Sequence, residues 1–155
     1  MHTRVVVADQ SEARFYDVVD IAARNLRLAQ RLTDEAAHLH DRDMVSDKPG
    51  RVFDHAPPAS GRRGSVGHHS TGSERTPRKH EAESFARTIV AALDKARNAG
   101  EFDRLVLMAG PAFLGLLRDS LPKTLERVVT AQINKDLVHQ SEADITDHLP
   151  WGELQ

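Results

Sequence analysis

Arg104-Leu105-Val106-Leu107-Met108, running into Ala109-Gly110-Pro111, is the stretch on which the fold turns. Four apolar residues in a row, with no polar alternation, suit a strand covered on both faces. Gly110-Pro111 then breaks the strand and opens a helix, and Phe113, Leu114 and Leu117 recur at the spacing of one buried helical face. Upstream, Ala82, Phe85, Ala86, Ile89, Leu93 and Ala96 repeat at helical spacing. Thr76-Pro77 reads as the start of that helix and Asn98-Ala99-Gly100 as its stop. Downstream, Arg127 to Ile133 reads as a last strand. Ser141 with Asp144 forms a capping pair for a short helix through Asp147, Pro150 ends it, and 151–155 is expected to be a weakly docked tail.

The N-terminal third has strand character. Arg4-Val5-Val6-Val7-Ala8 is β-branched and ends in Asp9-Gln10-Ser11-Glu12, which has turn chemistry. Ala13 to Val19 makes a second strand, and Leu26 to Leu32 alternates at period two as a third. Thr33 to Ala37 reads as a short capped helix. The expectation is one α/β domain over 1–150. Its mixed five-stranded sheet combines a three-strand antiparallel meander with helix-connected strands, flanked by helices.

A long segment interrupts this order. Ser46 to His80 carries five of the nine glycines and four of the seven prolines. It holds seven basic residues against three acidic ones, a local charge of +4 in a chain whose net charge is −2. A segment of this length without apolar periodicity reads as a functional or unstructured loop. Its cations, Arg51, Arg62, Arg63, Arg75, Arg78 and Lys79, are the type that neutralises phosphate backbones. Phe53 is its only aromatic residue, so it offers no stacking platform.

Composition narrows the chemistry. The 155 residues include no cysteine, which excludes a disulfide scaffold, a thiolate nucleophile and a cysteine zinc site. No apolar run approaches the length of a membrane span, and the first residues lack a secretory pattern. Gly110 and Pro111 form a candidate anion site, because a helix N-terminus presents unpaired N–H groups and a partial positive charge. Asp9, at the end of a strand, could help to hold a divalent metal, with Asp136 as a remote second carboxylate and Asp103 before the central strand. The competing reading of Asp9 is a turn residue that hydrogen-bonds its own backbone. His55, His68, His69 and His80 lie in or beside the basic segment without metal-ligand spacing. No residue is assigned a catalytic role, and no metal or cofactor is expected.

Four segments carry a resemblance. VVVADQSEARFY (Val5 to Tyr16), GRVFD (Gly50 to Asp54), HEAESFARTIVAAL (His80 to Leu93) and the run from Leu105 to Gln140 resemble, in order and spacing, the bacterial host attachment protein family. That family is grouped with relatives of the middle domain of eukaryotic-type peptide-release factors. The resemblance implies a ribonuclease-H-like mixed sheet. In release factors a glycine-rich loop before a long helix carries Gly-Gly-Gln and triggers peptidyl-tRNA hydrolysis. Here Gly61 to Glu74 stands in that place and contains no Gly-Gly-Gln. The expected function is therefore non-enzymatic: a cytoplasmic domain associated with RNA or the ribosome through its basic loop. The alternatives are a host-attachment factor acting through a protein partner and a metal-dependent hydrolase using Asp9.

Overall fold

The computed structural model describes residues 1–34 and 63–155, with side chains described for 1–34 and 77–155. Strands β1 (Thr3–Ala8), β2 (Glu12–Asp20), β3 (Asn25–Thr33), β4 (Arg104–Ala109) and β5 (Val129–Asn134) form one sheet in the order β3-β2-β1-β4-β5. β1 pairs antiparallel with β2, and β2 with β3, while β1–β4 and β4–β5 are parallel. Helices α1 (Arg63–Asn98), α2 (Pro111–Ser120), α3 (Lys123–Glu126) and α4 (Glu142–Asp147) flank it, and a 3₁₀ turn spans Trp151–Leu154. This is the expected mixed five-stranded α/β architecture.

The two central strands are covered on both faces, as their unbroken apolar character requires. Val6, Ala8, Leu105 and Leu107 pack with Phe85, Ile89 and Leu93 of α1 and Phe113 and Leu117 of α2. The ring centroids of Phe85 and Phe113 lie 6.2 Å apart where those helices meet. Val5, Val7, Val106 and Met108 point the other way, onto Val138, Ile145, Leu149, Trp151 and Leu154. Burying each such side chain stabilises the fold by about 1.5–3 kcal/mol relative to leaving it in water.

Local signals set several boundaries. α1 stops at Gly100, whose φ of 78° suits the left-handed position that closes a helix. The Glu101 N–H donates to Ala96 O and the Gly100 N–H to Arg97 O, the paired closure that satisfies last-turn carbonyls. The Ser141 side chain accepts from the Asp144 N–H and starts α4, as expected. β3 differs from a simple alternating strand. Its register against β2 slips between Phe15 and Tyr16, leaving Ala29 as an extra residue. Leu26 therefore shares the face of Tyr16, whereas Leu32 crosses to the face of Ala13 and Phe15.

Four expectations need correcting. First, α1 does not start at Thr76-Pro77; it starts at Arg63 and runs through Pro77, so residues 63–80 of the expected loop are helical. Once the buried face from Ala82 onward has nucleated the helix, extension adds one hydrogen bond per residue, and a fresh start is what costs free energy. Pro77 is exposed, where solvent can serve the carbonyl it leaves unpaired. Second, the chain after Pro150 is not weakly docked. Trp151 and Leu154 are 6% and 1% exposed, and the Trp151 Nε1–H donates to Thr146 O at 2.8 Å. Phe15 and Tyr16 are likewise core residues.

Third, β5 begins at Val129 rather than Arg127, because Arg127 and Val128 complete the turn that closes α3. Fourth, Thr33 belongs to β3 and Asp34 follows it outside any helix; residues 35–37 of that expected helix, with Arg51, Arg62 and His55, lie outside the described residues.

Candidate functional site

Parallel pairing puts three strand ends side by side. Ala8 aligns with Ala109, and Ala109 with Asn134, so the connections leaving β1, β4 and β5 emerge at one edge of the sheet. In sheets of this kind the carboxyl ends of parallel strands are where ligand crevices form. A cleft of about 440 Å³ opens there, lined by Asp9 and Gln10 after β1, by Gly110 to Phe113 at the start of α2, and by Asp136 after β5. α1 supplies the opposite lip with Arg78, Lys79 and Ala82. A Cβ built on Gly110 would come within 3.6 Å of the Asp136 Cβ, so these two connections are in direct contact.

Asp9 has a structural task. Its Oδ1 accepts the Ser11 N–H at 2.9 Å, the Glu12 N–H at 2.8 Å and the Ser11 hydroxyl at 3.2 Å, which folds the tight β1–β2 turn. Its Oδ2 lies 3.1 Å from His139 Nε2. Next to it is Glu12, buried to 5% exposure, whose Oε2 accepts from Arg14 Nε at 2.9 Å and Arg31 Nε at 2.7 Å. Burial by itself pushes the Glu12 carboxyl up. The hydrogen bonds and charges of Arg14 and Arg31 together outweigh it and hold the group below its ordinary value. The Glu12 carboxylate in turn raises Arg14, against burial and with help from Tyr16.

The opposite edge of the sheet is also charged, but internally matched. Arg4, 3% exposed, bridges Asp17 at 2.8 Å and Glu101 at 3.3 Å, with its guanidinium carbon 5.5 Å from the Phe102 ring centroid. Asp103 sits at this edge too, accepting the His2 backbone N–H through Oδ2 at 3.0 Å. It is therefore a whole strand length away from Asp9.

The family described as "Protein required for attachment to host cells" matches residues 4–149 of this sequence, nearly all of the sheet and helices just described. The chain belongs to that family. A relative from Rickettsia prowazekii (strain Madrid E), "Uncharacterized protein RP470", is 33% identical over 63 residues. The match covers 39% of the present chain and 42% of the relative's length.

In this member of the family the expected site residues fall into three groups. Arg78, Lys79, Gly110 and Pro111 come together at one cleft, joined by Asp9 and Asp136 from 127 residues apart in the chain. Arg63, Arg75, His68 and His69 lie on α1, and His80 follows on the same helix with an exposed side chain. Asp103 belongs to the far edge. Among the described residues no group of three or more His, Asp or Glu side chains is arranged to hold a metal ion. Also among them, no helix is long and apolar enough to cross a membrane.

Three contributors to this edge escape a linear reading: Gln10, Glu12 and His139. His139 follows the last strand by five residues, in the Lys135 to Gln140 connection. A histidine in the connection that leaves a strand at the ligand-bearing edge is the signal that could have found it.

Proposed function

We propose that this host-attachment-family chain acts by docking on a polyanion, RNA alone or within the ribosome, through the basic part of α1 and the cleft beside it. The observation that carries the reading is the meeting of Arg78 and Lys79 with the N-terminus of α2 on one cleft. Two cations and a helix start attract phosphate by charge and by backbone N–H donation. Arg63 and Arg75 lie on the same helix. Asp9 and Asp136 make the floor acidic, so phosphate contacts belong to the α1 lip.

The family's resemblance to release-factor middle domains prompts this reading, but the parallel is partial: there a glycine-rich segment precedes a long helix, whereas here residues 63–74 of the segment Gly61 to Glu74 are themselves the first part of α1. Without Gly-Gly-Gln the reading is docking and not peptide release, and it puts the protein at work in the cytoplasm. The family's attachment role would then follow from an RNA or ribosome partner rather than from direct contact with a host protein.

The test is binding of a labelled oligoribonucleotide, and of ribosomes, across a salt series. For the intact chain, log affinity should fall linearly with log salt. Replacing Arg78 and Lys79 by Gln should flatten the slope by about 0.7 for each single-strand phosphate contact removed. Equal slopes, or no binding at low salt, would dismiss the reading. A pull-down that survives ribonuclease would point instead to a protein partner.

One observation favours a second reading, a metal-dependent hydrolase: Asp9 and Asp136 share the cleft. Against it, both Asp9 oxygens already have partners in the turn and in His139. Titrating magnesium or manganese while following phosphodiester cleavage decides between the two. Cleavage that is lost in Asp136→Asn would favour the hydrolase.

A further inference from the structure

The cleft at the strand ends carries opposite charges that do not meet. Lys79, beside Arg78 on the α1 lip, and Asp136, after β5, both line it. Both side chains are exposed, and among the described residues neither has a hydrogen-bond or ion-pair partner. Asp9 adds negative charge to the same floor, but its Oδ1 serves the β1–β2 turn and its Oδ2 lies against His139. Asp136 is thus the carboxylate able to accept a new hydrogen bond. Ala82, Phe113 and Leu116 give the cleft an apolar wall.

We propose that this cleft takes one terminal nucleotide unit, with its phosphate at the α1 lip and a free ribose 2′,3′-diol at Asp136. The assignment rests on the polyanion reading above and narrows it. Inside a strand every ribose has a phosphate on both sides. Seating one phosphate at Lys79 would bring the next towards Asp136 and Asp9, like charge against like charge. A terminal unit ends in hydroxyls instead, and the two oxygens of a carboxylate can accept from both hydroxyls of a ribose diol. A continuous backbone is tracked by a groove of one sign, and this cleft has two. Its volume of about 440 Å³ lies in the lower part of the range for clefts that hold a single small molecule. Phe113 is 7% exposed, with its ring towards Phe85, so a base would meet apolar surface but no open ring to stack on. Base identity should therefore matter little. Free nucleotides and strand ends share this chemistry.

The experiment uses the full-length chain in EDTA, where no metal-dependent cleavage intervenes. Binding is measured for one short oligoribonucleotide ending in a 2′,3′-diol and for the same strand ending in a 3′-phosphate. The diol end should bind roughly tenfold more tightly, the size of one hydrogen bond to a charged group. Asp136→Asn should bring the two affinities together, whereas Lys79→Gln should weaken both alike. In NMR spectra of the wild type, the diol-ended strand should move the backbone amides of Gly110, Ala112 and Asp136. Equal affinity for the two ends, or binding that leaves those amides unmoved, would overturn the terminal site. Salt-dependent binding in that case would leave the polyanion reading intact.

Adenosine 5′-phosphate and its 2′-deoxy analogue form the second arm and separate the two sources. If adenosine 5′-phosphate binds more tightly than the analogue and no strand binds, the cleft is a free-nucleotide site and the polyanion reading falls. If the diol-ended strand binds and adenosine 5′-phosphate does not displace it, the strand end is the source. No binding of any probe would overturn both readings.

Discussion

The Arg104 guanidinium donates a 2.7 Å hydrogen bond to the carbonyl oxygen of Leu154, fastening the last turn of the chain to the first residue of the central strand. Leu154 and Trp151 enter the core from this turn, against Val5, Val7, Val106 and Met108. The C-terminal turn is therefore the lid of the second core, and several measurements can probe it.

Trp151→Ala should lower stability by about 3–5 kcal/mol, the usual cost of deleting a buried large aromatic side chain. It also leaves Thr146 O without its indole donor. Urea unfolding followed by circular dichroism checks this. A loss under 1 kcal/mol would mean that the turn is not part of the core.

Glu12 makes stability depend on pH in a definite direction. Its folded-state carboxyl is held below the ordinary value, so its contribution is present above the unfolded-state pKa and is lost as pH falls through the lower, folded-state one. Glu12→Gln should cost about 1–2 kcal/mol at pH 7, because Arg14 and Arg31 then lose a charged acceptor. The gap between variant and wild type should close on acidification below the usual carboxylate range. Unfolding free energies measured at neutral and acid pH test the sign.

Arg24, in the β2–β3 turn, has φ of 56°, a left-handed backbone that disfavours a side chain bearing a Cβ. Arg24→Gly should therefore stabilise the fold by up to about 1 kcal/mol, provided the turn hydrogen bonds from Ala23 N–H to Asp20 Oδ1 and from Arg24 N–H to Ile21 O persist. A thermal midpoint at or below that of the wild type would contradict the strain.

What was legible in the sequence depended on whether the signal was local. The unbroken run Leu105 to Met108, the β-branched Val5 to Val7, the Gly100 stop and the Ser141–Asp144 cap each act within a few residues, and the structure has all of them. The N-terminal reach of α1 was hidden because its extension follows from packing that begins at Ala82, against the local advice of Pro77. The Trp151 turn was hidden because its partners, Val106 and Met108, are far away in the chain. The slip at Ala29 left no mark on the alternating pattern of Leu26, Leu28 and Leu32. At the cleft, Arg78, Lys79, Gly110 and Pro111 could each be named singly. Their convergence with Asp136 depends on the parallel register of β1, β4 and β5, which no short segment encodes.

The extra residue at Ala29 has one more effect. Among the described residues β3 borders the sheet, and the outer row of backbone groups on such a strand is the usual template for one molecule to zip onto another. A kink in mid-strand, with the charged ends of Arg27 and Arg31 70% and 56% exposed on either side of it, spoils that template for an incoming chain. The same irregularity that redirects Leu32 inward thus guards the molecule against fibrous growth at high concentration.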